Sequence, residues 1–253
     1  MSNSLRKSPS YELHEKILVG IGGVRAAQGF SDLTEIKWPE GAKSVLVIAL
    51  HHPHDKPELD WFLESRYLPG NEILMEIKRE LRAWIEETYS IKTHHINYWI
   101  EECGIYLKDA AVLSGLGCIG KNNLVITPEF GPRVRFRAML IDEELTPTGP
   151  IDFDPCNGCN EYCHKVCGVN AFSEIVISAD NTGMSNLPGR NGCFSRAKCN
   201  NRSDRDVEDS GIAIYEDFWS EIKKTDRKME GTYQTQKYIM FCIKCIEACP
   251  VGD

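Results

Sequence analysis

The sequence predicts an α+β fold in two parts, with residues 1–148 forming the first part and residues 149–253 the second. In the first part, helical patterns alternate with hairpin-like strand patterns, which favours an α+β layer over a strict strand–helix–strand repeat. Nine of the eleven cysteines lie after residue 150. The polar segment 142–150 contains proline and glycine, which is typical of a linker at that boundary.

The strongest strand and helix patterns both lie in the first part. Residues 44–50 form an apolar run that ends before Pro53, as expected of a buried strand. Apolar residues at three- and four-residue spacing predict an amphipathic helix over residues 71–89, with Asn71 as its N-cap. A second, shorter helix is predicted over residues 104–114.

Two further strands are predicted downstream of the second helix. Residues 124–127 and 134–141 alternate like the strands of a hairpin, and residues 128–132 would form its turn. One face of the later strand would be either solvated or in contact with anionic groups of a ligand, because it carries three arginines: Arg133, Arg135 and Arg137.

The composition is ordinary for a globular protein, with 42% apolar and 26% charged residues. A net charge of −8 argues against general nucleic-acid binding, which depends on neutralising phosphates. Residues 1–10 lack the apolar segment of a signal peptide, and no apolar run is long enough to cross a bilayer. We therefore expect a cytoplasmic protein without membrane association. Residues 200–230 are expected to be irregular surface, with one short helix near residues 215–222.

The cysteines fall into two groups whose spacing is typical of iron–sulfur ligands. Paired cysteines also hold structural zinc, but zinc needs only four ligands and here each group has three or four. In two-cluster ferredoxins the last cysteine of each run ligates the other cluster, which predicts two interlocked 4Fe–4S sites. Cluster I would take Cys156, Cys159, Cys163 and Cys249. Cluster II would take Cys167, Cys242, Cys245 and one intervening cysteine, for which Cys193 is favoured over Cys199.

A glycine motif, Gly115-x-Gly117-x-x-Gly120, precedes Lys121. It matches the dinucleotide-binding pattern, but that interpretation requires a strand before the motif and a helix after it. The order here is reversed, so the motif predicts a tight turn where a flat or anionic ligand could approach the backbone.

The residues from Lys108 to Arg135 resemble the signature of the epoxyqueuosine reductases. The two cysteine groups, with Cys193-Phe-Ser between them, are similar to the same family's cluster pattern, and reductive dehalogenases belong to the same wider group. The likeness covers residues 15–250. It implies a cobalamin-binding domain of nitroreductase-like fold followed by a ferredoxin-like domain with two 4Fe–4S clusters.

The same resemblance implies cobalamin held base-off between the two domains, with electrons passing through the clusters to the corrinoid. The residues that match the family's corrin-contacting loop are Ser114, Gly115, Gly117, Ile119, Gly120, Lys121, Asn122 and Leu124.

The sequence departs from the family's pattern in three respects. The family's aspartate proton donor precedes the glycine motif, and the corresponding position here is Glu101, which could equally cap the second helix. Cys118 stands where the family usually has tryptophan. Because the sequence ends three residues after Pro250, we expect the family's tRNA-binding repeat domain to be missing and tRNA to be a doubtful substrate.

These features predict a cobalamin-dependent iron–sulfur reductase related to epoxyqueuosine reductase. Its substrate would be a small molecule or a corrinoid protein, and its electrons would come from a low-potential donor such as ferredoxin or flavodoxin. The alternative is an electron-transfer or corrinoid-reducing partner that turns over no organic substrate.

Overall fold

A computed structural model describes the chain over residues 17–23, 39–56, 59, 62–63, 68–97, 105, 107–173, 194–210, 238–239 and 242–252. The strands are β1 Ile17–Gly23, β2 Ser44–His51, β3 Phe62–Leu63, β4 Thr93–His95, β5 Cys118–Ile119, β6 Val125–Ile126, β7 Val134–Ile141 and β8 Tyr238–Ile239. The helices are α1 Pro69–Tyr89, α2 Leu107–Leu113, α3 Tyr162–Lys165, α4 Arg196–Ser210 and α5 Lys244–Glu247. The mixed helix and strand content confirms the predicted α+β class.

The largest sheet is antiparallel throughout and has the order β1-β2-β7-β4. Successive side chains of β2 point to opposite faces, so Val45, Val47 and Ala49 pack into one apolar cluster while Leu46 and Ile48 pack into another. Helices cover both faces, which is why the strand is apolar at every position from 45 to 50 and not only at alternate ones.

Helix α1 covers one face of the sheet with the stripe that its periodicity predicts, and the buried members of that stripe include Leu74, Ile77, Leu81 and Ile85. The helix begins earlier than the sequence indicated. Its N-cap is Leu68, so the prediction of Asn71 as N-cap was wrong. Pro69 explains the difference, because proline at the first helical position has a suitable φ and lacks only an N–H that would have no helical partner.

The predicted hairpin of residues 124–127 and 134–141 was also wrong in its pairing. Strand β6 pairs with β5, while β7 lies in the large sheet between β2 and β4. Ala138 and Leu140 of β7 are buried on one face of that sheet and Met139 and Ile141 on the other, which a two-stranded hairpin could not provide. Arg133 and Arg137 are only 4% and 7% exposed, so these two positions do not form a solvated face.

Residues 200–210 belong to helix α4, which contradicts the expectation of irregular surface there. Asp206 and Arg202 are paired along this helix at 2.6 Å, an i,i+4 contact that a search for apolar periodicity misses. The short helix predicted near residues 215–222 lies outside the described residues.

Segments from the two predicted parts of the chain contact each other directly. Strand β8 pairs with β3, and a Cβ added to Gly131 would overlap the backbone carbonyl of Val251. The division into residues 1–148 and 149–253 stays a prediction. Over the part of the chain that is described, no helix has the length and apolar character that a membrane span requires.

Candidate functional site

One cavity brings together the four cysteines predicted for cluster I. Its lining includes Cys156, Cys159, Cys163 and Cys249. The first three belong to one short segment, and Cys249 arrives from the far end of the chain. The backbone therefore brings a cysteine of the second group to the first group, as the interlocked pattern predicts. Ligation of a cluster by these cysteines stays a prediction.

The segment around Cys156 is shaped by turns and a very short helix. The Cys156 backbone N–H donates to Asp154 Oδ1 at 3.1 Å, and the Cys159 N–H donates to the Cys156 carbonyl at 3.3 Å. Helix α3 then positions Cys163. On the other side, α5 carries Cys245 and leads the chain to Cys249, which is buried.

Backbone N–H groups point at two of the sulfurs. Lys121 donates to Cys156 Sγ at 3.4 Å, and Ala171 donates to Cys167 Sγ at 3.3 Å. Hydrogen bonds to ligating sulfurs are one of the means by which a protein sets a cluster's reduction potential. The Lys121 contact also shows that the loop after the glycine motif borders the cluster I cavity.

The thiols need a cation to ionise in this setting. Burial raises the pKa of Cys163 to about 11 and that of Cys245 to about 12, with neighbouring cysteines adding smaller increases. Burial likewise raises the pKa of Cys249. Thiolates are the form that binds metal, and a bound cation lowers the pKa of a coordinating thiol because it stabilises the thiolate. The donor set therefore fits an iron–sulfur cluster. No group of three or more metal-binding side chains suited to a single ion occurs among the described residues.

The cysteines predicted for cluster II are only partly described. Cys193 lies outside the described residues. Cys167, Cys242 and Cys245 are close enough for charge on the first two to raise the pKa of Cys245, after the larger effect of burial. The Cys242 N–H donates to Asp206 Oδ2 at 3.1 Å. The spacing of the cysteines carries no information about Asp206, which lies 36 residues before Cys242, so the sequence analysis did not predict this contact.

Two of the three glycines of the motif, Gly115 and Gly117, are required by the backbone of neighbouring segments, while Gly120 is approached only by side-chain atoms. A Cβ on Gly115, where φ is +79°, would lie 2.5 Å from the Thr148 carbonyl oxygen. At Gly117 a Cβ would lie 2.8 Å from the carbonyl carbon of Ile126, and at Gly120 it would lie 2.7 Å from Asn122 Oδ1. The space beside each glycine is thus filled by neighbouring segments.

Most of the loop's side chains are engaged within the protein. Ile119 belongs to the apolar core. Asn122 donates to the Cys245 carbonyl at 3.4 Å, and its Oδ1 accepts from the Leu124 N–H at 3.2 Å. Lys121 pairs with Glu161 at 2.6 Å. The loop therefore joins the sheet of the first part to the cysteine segments.

One polar atom of the predicted corrin loop has an unsatisfied hydrogen bond. Ser114 is 1% exposed, and its Oγ has no hydrogen-bond partner among the residues that the structure describes. A buried hydroxyl of this kind normally bonds to protein, water or ligand. Contact of Ser114 and of the other loop residues with a corrinoid stays a prediction.

The structure brings one acidic residue near the glycine motif that sequence reasoning did not single out. Asp109 lies in α2, and burial raises its pKa to about 7, partly offset by the charge of Lys108. The signal in the sequence was a carboxylate beside the buried run Ala110-Ala111-Val112. Glu101, the predicted proton donor, lies outside the described residues.

Asp109 should make stability depend on pH. Because its folded pKa of about 7 exceeds the ordinary 3.8, the folded chain keeps a proton that the unfolded chain has lost. The free energy of unfolding therefore falls as pH rises between those values. Asp109→Asn should remove this dependence on pH. Its free energy of unfolding, measured with urea, should rise relative to that of wild type by about 1 kcal/mol between pH 6 and pH 8. The exposed Asp152→Asn controls for charge, and an equal gain there would contradict the prediction.

Glu161 should lower the potential of a cluster in the neighbouring cavity, since its carboxylate lines that cavity. The Lys121 side chain beside it holds the pKa of Glu161 below its usual range. Glu161→Gln should raise the midpoint potential by on the order of tens of millivolts, and added salt should reduce the shift. A redox titration followed by EPR measures this. Glu143→Gln, at an exposed site, is the control, and a lowered potential in Glu161→Gln would refute the prediction.

Comparison with known proteins finds relatives in two groups. The chain is 41% identical over 147 residues to a tetrachloroethene reductive dehalogenase of Desulfitobacterium hafniense, a match covering 47% of this chain and 26% of that protein. It is 26% identical over 143 residues to an epoxyqueuosine reductase of Leadbetterella byssophila, covering 56% and 47%. The matches span less than half the length of these relatives. No protein-family model matches.

Solved epoxyqueuosine reductases share the fold. The structure from Bacillus subtilis aligns with a TM-score of 0.58 at 16% identity, covering 100% of this chain and 65% of that chain. The structure from Streptococcus thermophilus aligns with a TM-score of 0.57 at 17% identity, covering 100% and 66%. Such low identities concern the fold alone. Together with the sequence matches, they confirm the resemblance that the glycine and cysteine motifs predicted.

Proposed function

We propose that this chain is an oxidoreductase that holds two 4Fe–4S clusters and passes electrons through them to a corrinoid, which reduces a substrate not yet identified. The observation that carries the proposal is the cavity in which Cys156, Cys159 and Cys163 meet Cys249. The chain's similarity to proteins named reductive dehalogenase and epoxyqueuosine reductase supports the proposal that it is a reductase.

The chain's own residues have separable roles in this proposal. The four cysteines of the cavity would hold cluster I, and the Lys121 N–H would stabilise its reduced form through Cys156 Sγ. Asn122 donates a hydrogen bond to the Cys245 carbonyl, and Lys121 donates one to Cys156 Sγ, so the glycine loop is hydrogen-bonded to both cysteine groups. When bound, the corrinoid would supply the low-potential cobalt chemistry.

The position of the glycine loop supports electron delivery toward the first part of the chain. The loop borders the cluster I cavity through Lys121, and the segment preceding it contains the buried Ser114 hydroxyl. Electrons would enter from an external donor such as ferredoxin or flavodoxin, through cluster II.

Anaerobic purification with cobalamin tests the proposal. Metal and sulfide analysis should find about eight irons per chain, and EPR with visible spectra should show reducible clusters and a bound corrinoid. Intact clusters without cobalamin binding would refute the corrinoid part, and a chain without iron would refute the whole. Reductive turnover should then be assayed on chlorinated ethenes and on epoxyqueuosine-containing tRNA, the substrates that the relatives' names indicate.

The variant Glu101→Gln distinguishes a reductase with its own substrate from a partner protein that only reduces a corrinoid. Loss of product formation with normal cluster reduction would support a reductase in which Glu101 donates a proton. If reduction of cob(II)alamin is the only activity found and survives the substitution, the chain is a corrinoid-reducing partner instead.

A further inference from the structure

We infer that Cys199, and not Cys193, supplies the fourth thiolate of cluster II, together with Cys167, Cys242 and Cys245. The inference rests on the proposed function, because it presupposes a second cluster. It replaces the ligand that the sequence pattern favoured, and it assigns helix α4 a part in holding the cluster.

The start of helix α4 lies against the first cysteine group. The Ser195 N–H donates to the Ala171 carbonyl at 2.6 Å, and the Ala171 N–H donates in turn to Cys167 Sγ at 3.3 Å. Cys199 lies one helical turn further, where its N–H donates to the Ser195 carbonyl at 3.2 Å. The beginning of the helix is thus tied to the segment that contains Cys167.

A second contact ties the same helix to the other cysteine group. Asp206 Oδ2 accepts from the Cys242 N–H at 3.1 Å, and Arg202 holds the Asp206 carboxylate at 2.6 Å. Residues separated by seven positions return to the same face of an α-helix. Cys199 and Asp206 are separated by seven, so Cys199 lies on the face that contacts the Cys242 segment.

Electrostatic effects among the thiols agree with this geometry. Burial raises the pKa of Cys199 most, followed by charge on Cys242 and Cys167. Among the neighbouring charges that raise the pKa of Cys245, Cys199 has the largest effect. The contacts of Ser195 and Asp206 therefore place Cys199 between the Cys167 segment and the segment of Cys242 and Cys245, and a 4Fe–4S cluster needs four thiolates.

The test compares Cys199→Ala with Cys193→Ala in protein purified anaerobically as the full chain. Wild type should contain about eight irons; Cys199→Ala should retain about four, and Cys193→Ala about eight. The EPR signal of cluster I should persist in both variants, which shows that each has folded. Retention of all the iron in Cys199→Ala, or loss of a cluster in Cys193→Ala, overturns the inference.

Alkylation of the wild-type holoprotein provides a second measurement that needs no variant. Under anaerobic conditions Cys199 should resist iodoacetamide while the clusters are intact and react once a chelator has removed the iron, with mass spectrometry identifying the modified residue. Reaction of Cys199 in the intact holoprotein overturns the inference. Wild-type protein that lacks iron altogether refutes the proposed function, so the two failures are distinguishable.

Discussion

Cys249→Ala is expected to eliminate cluster I, leaving about four of about eight irons per chain. The residue is buried, and it is the one cysteine of the cluster I cavity that comes from the C-terminal segment. Its removal leaves one iron of the cube without a protein thiolate, which makes the cluster labile. Because cluster I lies between the outer cluster and the glycine loop in the proposed path, electron transfer to the corrinoid should stop as well. Iron and sulfide analysis measures the first effect, and reduction of bound cob(II)alamin measures the second.

Cys118→Ala is the matched control for that variant. Cys118 is fully buried and packs in the same small cluster as Cys156, Cys249 and Ile126, but it is not among the predicted ligands. It should retain about eight irons and its cob(II)alamin reduction. Equal loss of iron in both variants would show that packing, and not ligation, accounts for the effect of Cys249→Ala.

Gly117→Ala is expected to lower the free energy of unfolding by about 1–3 kcal/mol or more. The new methyl would overlap the Ile126 carbonyl oxygen and lie 2.8 Å from its carbonyl carbon. Ile126 cannot move aside easily, because it is buried in β6 and paired with Cys118 of β5. Urea unfolding of the cluster-free and holo forms provides the measurement, and the Lys121 contact to Cys156 should be weakened in the variant.

Gly168→Ala is the control for the glycine substitution. Nothing lies within 4 Å of the position that its Cβ would occupy, so its effect should stay within about 0.5 kcal/mol. If Gly117→Ala were as mild as Gly168→Ala, the glycines of the motif would not be required by packing, and direct approach of a ligand would become the better explanation for them.

Sequence patterns predicted those elements whose burial is local and periodic. The strand near residues 44–50 and the helix near residues 71–89 were found because each element repeats its apolar contacts at its own period. The pairing of β6 was not, because an alternating strand does not specify its partner. Helix α4 was missed for a related reason: its residues are mostly polar, and it is anchored by contacts of Ser195 and Asp206 with distant segments.

The sequence by itself determined the donor set, because short spacings between cysteines specify which thiols can meet within one loop. Its interlocked cysteine pattern also predicted that Cys249 joins the Cys156 group, and the structure places Cys249 in that cavity. The glycine motif and the cysteine groups indicated the relatives as well. Only the tertiary structure pointed to Cys199 as the partner of the Cys242 segment, because the position of α4 depends on long-range hydrogen bonds that no local spacing encodes.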